Sequence, residues 1–155
     1  MPYTPFSFSE VKTIFTLSEG LTQSTGRGEG HAGRDHVNIS NDGMWNRTLG
    51  GNASAITSFL RFDDQVRAAL ELLNAPSSDA ALERFRVEKQ PGRGYPGSNS
   101  PYAEITHRLM APVQMRYAIG GGTRTFPCSL VTLVFDKCRG RPRDMHIVTC
   151  FGEFG

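Results

Sequence analysis

Two periods of apolar residues run along this chain, and the change from one to the other divides it. Near the N-terminus Val11, Ile14, Phe15 and Leu17 form a weakly amphipathic stretch behind a candidate cap at Ser9. After Glu19 the text is polar and Gly-rich as far as Arg34 and reads as a loop. His36 and Val37 follow, then a polar segment in which Ser40, Asn41 or Asp42 is placed to cap a short helix over 44–49, ended by Gly50 and Gly51. Residues 55–59 read as a short strand. Asp63 or Asp64 then opens the clearest helix, in which Val66, Ala69, Leu70 and Leu73 fall at i, i+3, i+4 and i+7. Asn74-Ala-Pro ends it, and Ser77 or Ser78 can cap a further short helix through Ala81, Leu82 and Phe85.

Beyond an irregular Gly/Pro loop over 90–101 the period shortens. Segments 102–106, 113–119, 129–135 and 145–151 are rich in β-branched and aromatic residues and read as strands. Turns at 120–122 and 138–143 join the last three, so neighbouring strands are expected to pair antiparallel. The prediction is an α+β domain with short helices first and a twisted antiparallel sheet after them. Strict alternation in the last strand puts Met145, Ile147, Thr149 and Phe151 on one face, with His146, Val148 and Cys150 on the other. His146, beside a basic turn, then reads as exposed, and it shares a cleft with Thr149 only if a bulge intervenes.

Composition excludes several classes. At 155 residues the chain suits one domain, and its 38% hydrophobic and 21% charged residues are ordinary for a globular protein. No apolar run approaches the roughly 18 residues of a membrane span. The opening MPYTPFSFSEVK has no basic region followed by an apolar one, which argues against a secretory signal. Seventeen Gly and nine Pro indicate many turns and exclude a coiled coil. Cys128, Cys138 and Cys150 are an odd set without metal-type spacing, so free thiols and a cytosolic site of action are expected. Cys150 reads as a small buried hydrophobe.

Net charge is only +2, but its distribution is uneven. Residues 1–79 carry six Lys/Arg against nine Asp/Glu, whereas residues 80–155 carry eleven against six. Lys137, Arg139, Arg141 and Arg143 crowd one turn, and the planar fork of Arg suits phosphate, although a solvated basic loop explains the charge equally well. Metal-free RNA cleavage needs a base for the ribose 2′-OH, a cation for the phosphorane and an acid for the departing 5′-oxygen. Histidine and arginine fit the first two roles. The four histidines are His31, His36, His107 and His146, two of them within EGHAGRDHVN, and Arg47 lies eleven residues beyond His36. For two histidines in a loop, surface or structural hydrogen bonding is the simpler explanation, and Thr149 alone suits a strand. Phe59, Phe62 and the helical stripe read as core, while Tyr95 and Tyr102 are candidate base-stacking residues.

The order GHAGRDHV, Arg47, Ser58-Phe59, the helix through Val66–Leu73 and a closing MHIVTCF resembles the ribonuclease A-like toxin domains of bacteria. Those domains end large polymorphic toxins, especially contact-dependent growth inhibition effectors of the CdiA type. The resemblance covers residues 29–152 as the family-like core of a single domain over 1–155, with an N-terminal helix and loop over 1–28. It implies a ribonuclease A-like fold and a metal- and cofactor-free endoribonuclease that forms a 2′,3′-cyclic phosphate on cellular RNA such as tRNA. His36 would be the general base, Arg47 the phosphorane-stabilising cation and Thr149 a hydrogen-bond donor to the phosphate. His31 would assist or fix the loop. Ser58, Phe151, His146 and Arg141 are the candidate substrate contacts. The family's closing Tyr is Phe151 here, so the acid is left to His31, His146 or water. The implied partners are an RNA substrate and a cognate, acidic immunity protein, with no membrane insertion and a monomeric toxin. Delivery as the C-terminal part of a larger secreted or surface effector into the target cytoplasm is implied too, with Met1 an added start. Two alternatives stand beside it: an RNase toxin of the barnase, EndoU, colicin or RelE kind, and a nucleic-acid-binding module without catalysis that uses the 139–143 turn and the tyrosine-bearing loop.

Overall fold

The computed structural model of the chain describes residues 4–19, 37, 55–87, 103–119, 122–138 and 140–153. The loops over 20–34 and 90–101, the helix expected over 44–49, and His31, His36, Arg47, Tyr95 and Tyr102 lie outside them. The described elements are helix α1 (Phe8–Ser18), strand β1 (Ala55–Phe59), helices α2 (Phe62–Asn74) and α3 (Asp79–Val87), then strands β2 (Ala103–Ile119), β3 (Gly122–Lys137) and β4 (Met145–Glu153). The strands form one antiparallel sheet in the order β1-β2-β3-β4. The domain is α+β as expected, with β1 set between the helices in sequence.

Each helix has a local cause. Ser7, two residues before the expected cap, accepts a hydrogen bond from the Glu10 N–H at 3.2 Å and starts α1, whose Val11, Ile14, Phe15 and Ser18 are buried at one helical spacing. In α2, Asp63 and Asp64 occupy the first turn, where the helix dipole favours negative charge, and Gln65, Val66, Ala69, Leu72 and Leu73 are buried. Ala75 is extended ahead of Pro76 and stops it. Ser78 does not cap α3. Its hydroxyl donates to the Leu72 carbonyl at 2.8 Å, which also accepts from the Ala75 N–H at the end of α2.

The core lies between the helices and one face of the sheet. Phe15, Phe59, Leu72, Phe85, Leu133, Phe135, Met145, Ile147 and Cys150 are all buried there, each large apolar side chain contributing about 1.5–3 kcal/mol by leaving water. Phe85 stands edge-on to Phe135 at 5.0 Å between centroids.

Segments 102–106 and 113–119, expected as two strands, are one bent strand. Arg108 pairs with Leu130 and Val113 with Cys128, so 109–112 oppose Ser129 alone. Pro112 has no N–H for a ladder, and the Met110 N–H, turned out of it, donates to the Glu71 carboxylate at 2.7 Å. β3 likewise begins at Gly122 instead of residue 129, because it must pair with the far half of β2.

The bend lets β1 touch β4 across the sheet. The Thr57 hydroxyl donates to the Gly152 carbonyl at 2.5 Å, Gln65 Nε2 donates to the Cys150 carbonyl at 2.9 Å, and the Ile147 N–H donates to Ser18 Oγ at 2.9 Å. Three backbone groups of β4 are thus met by side chains of β1, α2 and α1. Gly152 lies so close to the bend that a Cβ there would collide with the Met115 sulfur and come within 2.8 Å of Cys128 Sγ. All three cysteines are buried and free, and burial pushes the thiols of Cys128 and Cys150 up.

Candidate active face of the sheet

β4 pairs out of step with strict alternation. Thr149 opposes Val134, yet Ile147 opposes Phe135, which leaves Val148 as one extra residue. Past that bulge His146 opposes Asp136 and Phe151 opposes Thr132. Thr132, Val134 and Asp136 lie two apart on β3 and share a face, so His146, Thr149 and Phe151 share it with them. The strict-alternation assignment is corrected accordingly: Met145, Ile147 and Cys150 point to the core, and His146 and Thr149 are brought to one side. Ser18 holds the bulge, since its hydroxyl donates to the Ile14 carbonyl at 2.7 Å while accepting from the Ile147 N–H.

This second face is polar, and it is also buried. His146 and Thr132 are 0% exposed, Asp136 2% and Thr149 8%. The exposed position expected for His146 is therefore wrong. Its Nδ1 lies 3.1 Å from Arg141 Nη1, which also donates to the Leu17 carbonyl at 2.9 Å. A guanidinium cannot accept, so Nδ1 is the acceptor and the ring proton sits on Nε2. The Thr149 hydroxyl is buried with no hydrogen-bond partner among the described residues. Such a group costs about 1–3 kcal/mol in a purely structural role.

The basic turn is only partly free to meet an anion. Arg143 grips Glu10 through Nε and Nη2 at 3.1 and 2.9 Å, donates to the Thr4 and Pro5 carbonyls, and stacks 4.0 Å from the Phe6 ring. Lys137 donates to the Phe85 and Arg86 carbonyls at the end of α3. Gly140, Arg143 and Asp144 all have positive φ, a turn in which the two non-glycine residues are strained and the Arg143 contacts offset the cost. Arg141 emerges from it against His146.

Ser58 is buried on β1 and donates to the Phe59 carbonyl at 3.1 Å. Val37 bridges in parallel to Phe59 at the edge of β1. The face thus joins His146, Thr149, Phe151 and Arg141, with Ser58 on a separate strand. Sequence reasoning missed Asp136 and Thr132. The signal was a carboxylate and a hydroxyl inside the apolar run SLVTLVFDK, where exposed positions are few.

No family model and no curated protein sequence matches the chain. Among solved structures it is similar to a chain in the crystal structure of a CdiA-CT/CdiI complex from Y. kristensenii, with a TM-score of 0.57 and 18% identity over 77% of this chain and 95% of that one. The likeness is one of fold.

Proposed function

We propose that this chain is the toxic domain of a CdiA-type contact-dependent growth inhibition effector and that it cleaves RNA without a metal ion. The observation that carries this reading is the Thr149 hydroxyl, buried without a partner among the described residues beside His146 and Phe151. A donor kept ready in this way suits a phosphate oxygen that gathers charge in the transition state. The fold shared with a CdiA-CT/CdiI structure and the GHAGRDHV, Arg47, Ser58-Phe59 and MHIVTCF series support it independently.

In this reading His36 takes the proton from the ribose 2′-OH, Arg47 holds the phosphorane oxygens, and Thr149 donates to one of them. The O2′–P bond forms as the P–O5′ bond breaks, giving a 2′,3′-cyclic phosphate and a 5′-hydroxyl. Arg141, donating to Nδ1, holds His146 in the Nε2–H tautomer on the same face as Thr149. His31 is then the candidate acid for the 5′-oxygen. Ser58 and Phe151 contact substrate. The partner that restrains the domain is an acidic immunity protein matched to the basic second half. The domain travels as the end of a larger effector and acts as a monomer in the target cytoplasm. Among the described residues no helix is long and apolar enough to cross a membrane.

Incubation of total RNA with wild type and His36→Ala in EDTA is the test. Cleavage by wild type alone, leaving cyclic phosphate ends, is the expected result. Cleavage by both points to an RNase that uses another base, and cleavage by neither points to a binding module.

A further inference from the structure

Two residues along β4 from Thr149, the same face carries a second polar arrangement. Phe151 and Glu153 lie on it, opposite Thr132 and Leu130 of β3, and Thr106 of β2 opposes Thr132. The Thr132 hydroxyl donates to Glu153 Oε1 at 2.9 Å, and Thr106 Oγ1 lies 2.8 Å from Thr132 Oγ1. Thr132 spends its one proton on the carboxylate, so Thr106 is the donor in the second bond. Both hydroxyl protons therefore point inward along a relay that ends on Glu153. What the relay offers a ligand is lone pairs: those of Glu153, whose carboxylate has about four acceptor positions, and those of Thr106. Thr132 is fully buried, which fixes Glu153 beside the partly buried Phe151 ring, while Thr106 is open.

We infer that Phe151, Glu153, Thr132 and Thr106 form a nucleobase subsite selective for guanine. The inference rests on the reading of this face as an RNA-cleaving site. An aromatic ring beside a backbone-binding position gives any base a stacking surface. Selection follows from the acceptor-only edge. Guanine presents two adjacent donors, N1–H and N2–H, to a carboxylate. Adenine and cytosine each set one amino group beside a ring acceptor, and uracil flanks its single N–H with two carbonyls. A carboxylate meets guanine with two attractions and meets each of the others with at least one repulsion.

Binding of labelled deoxytetranucleotides d(TTGT), d(TTAT), d(TTCT) and d(TTTT) to the wild-type chain tests this without turnover, because they lack the attacking 2′-OH. The guanine oligonucleotide is expected to bind about tenfold more tightly than the others. Equal affinity for all four, or no measurable binding of any, overturns the subsite. Glu153→Gln should remove the preference, since the amide replaces one acceptor by a donor, and a folded variant that keeps it also overturns the proposal. Thr132→Val, which frees the carboxylate without altering shape, should weaken the preference if Glu153→Gln does not fold. Parallel assays on total RNA separate the two readings. Guanine-selective binding without cleavage removes the ribonuclease assignment and leaves the subsite as a binding site. Cleavage without selective binding removes the subsite alone.

Discussion

The two faces of the β3–β4 ladder both bury side chains and are chemically opposite. On one, Leu133, Phe135, Ile147 and Cys150 meet α1 and α2 and fill the core. On the other, Thr132, Asp136, His146 and Thr149 are buried to the same degree but carry hydroxyls, a carboxylate and an imidazole. A globular domain has no structural need to bury so many polar groups on one side, since each needs a partner or costs stability. The contrast teaches that burial alone does not identify core. Burial without apolar character marks the side of the sheet where chemistry is to be sought.

Breaking the apolar face should have the largest effect. Phe135→Ala removes a ring that is fully buried and packed edge-on to Phe85, and should cost about 3–5 kcal/mol, read as a lower denaturant midpoint. The polar face should answer differently. Thr149→Val removes the unpartnered hydroxyl while keeping the shape, so RNA cleavage should fall by about 10²-fold with the melting temperature unchanged or raised. A variant that loses stability and keeps its rate would make Thr149 structural.

Ser18→Ala acts on the device that separates the faces. It leaves the Ile147 N–H at the bulge without its acceptor and should cost about 1–3 kcal/mol in stability. Cleavage should drop at temperatures where the variant is still folded, because the bulge that aligns His146 with Thr149 is loosened. The smallest effect belongs to a contact on neither face. The hydrogen bond from Lys12 at 2.9 Å holds the Asp63 carboxyl below its usual value of 3.8. A depressed folded-state value gives a contribution present above 3.8 and lost as pH falls through the lower one. Lys12→Met should therefore narrow the stability difference between pH 6 and pH 2 slightly, measured by urea titration, and exposure keeps the effect small.

Local pattern made much of the fold legible. The strand Ala55–Phe59 and the apolar positions of α2 and α3 follow directly from period and punctuation. The bend at 109–112 had a signal in Pro112, which a continuous ladder strand does not accommodate. The bulge had none. MHIVTCF is apolar at positions of both parities, and nothing in its residue types says where one extra residue enters, so strict alternation assigned His146 and Thr149 to opposite sides. The register of β4 is set by Ser18, Gln65 and Thr57, more than eighty residues away in sequence, and no local window contains them. Of the candidate site, Thr149, His146, Phe151, Arg141 and Ser58 lie in the described part of the molecule, while His31, His36 and Arg47 lie outside it.

The side chains of Ser18, Gln65 and Thr57 have another effect. A terminal strand normally displays a row of unsatisfied amides and carbonyls on which a foreign strand can template itself, the first step toward fibrils. Here a serine, a glutamine and a threonine hem that margin from within the same molecule. A visiting chain loses three of the backbone groups it would zip onto along this selvage.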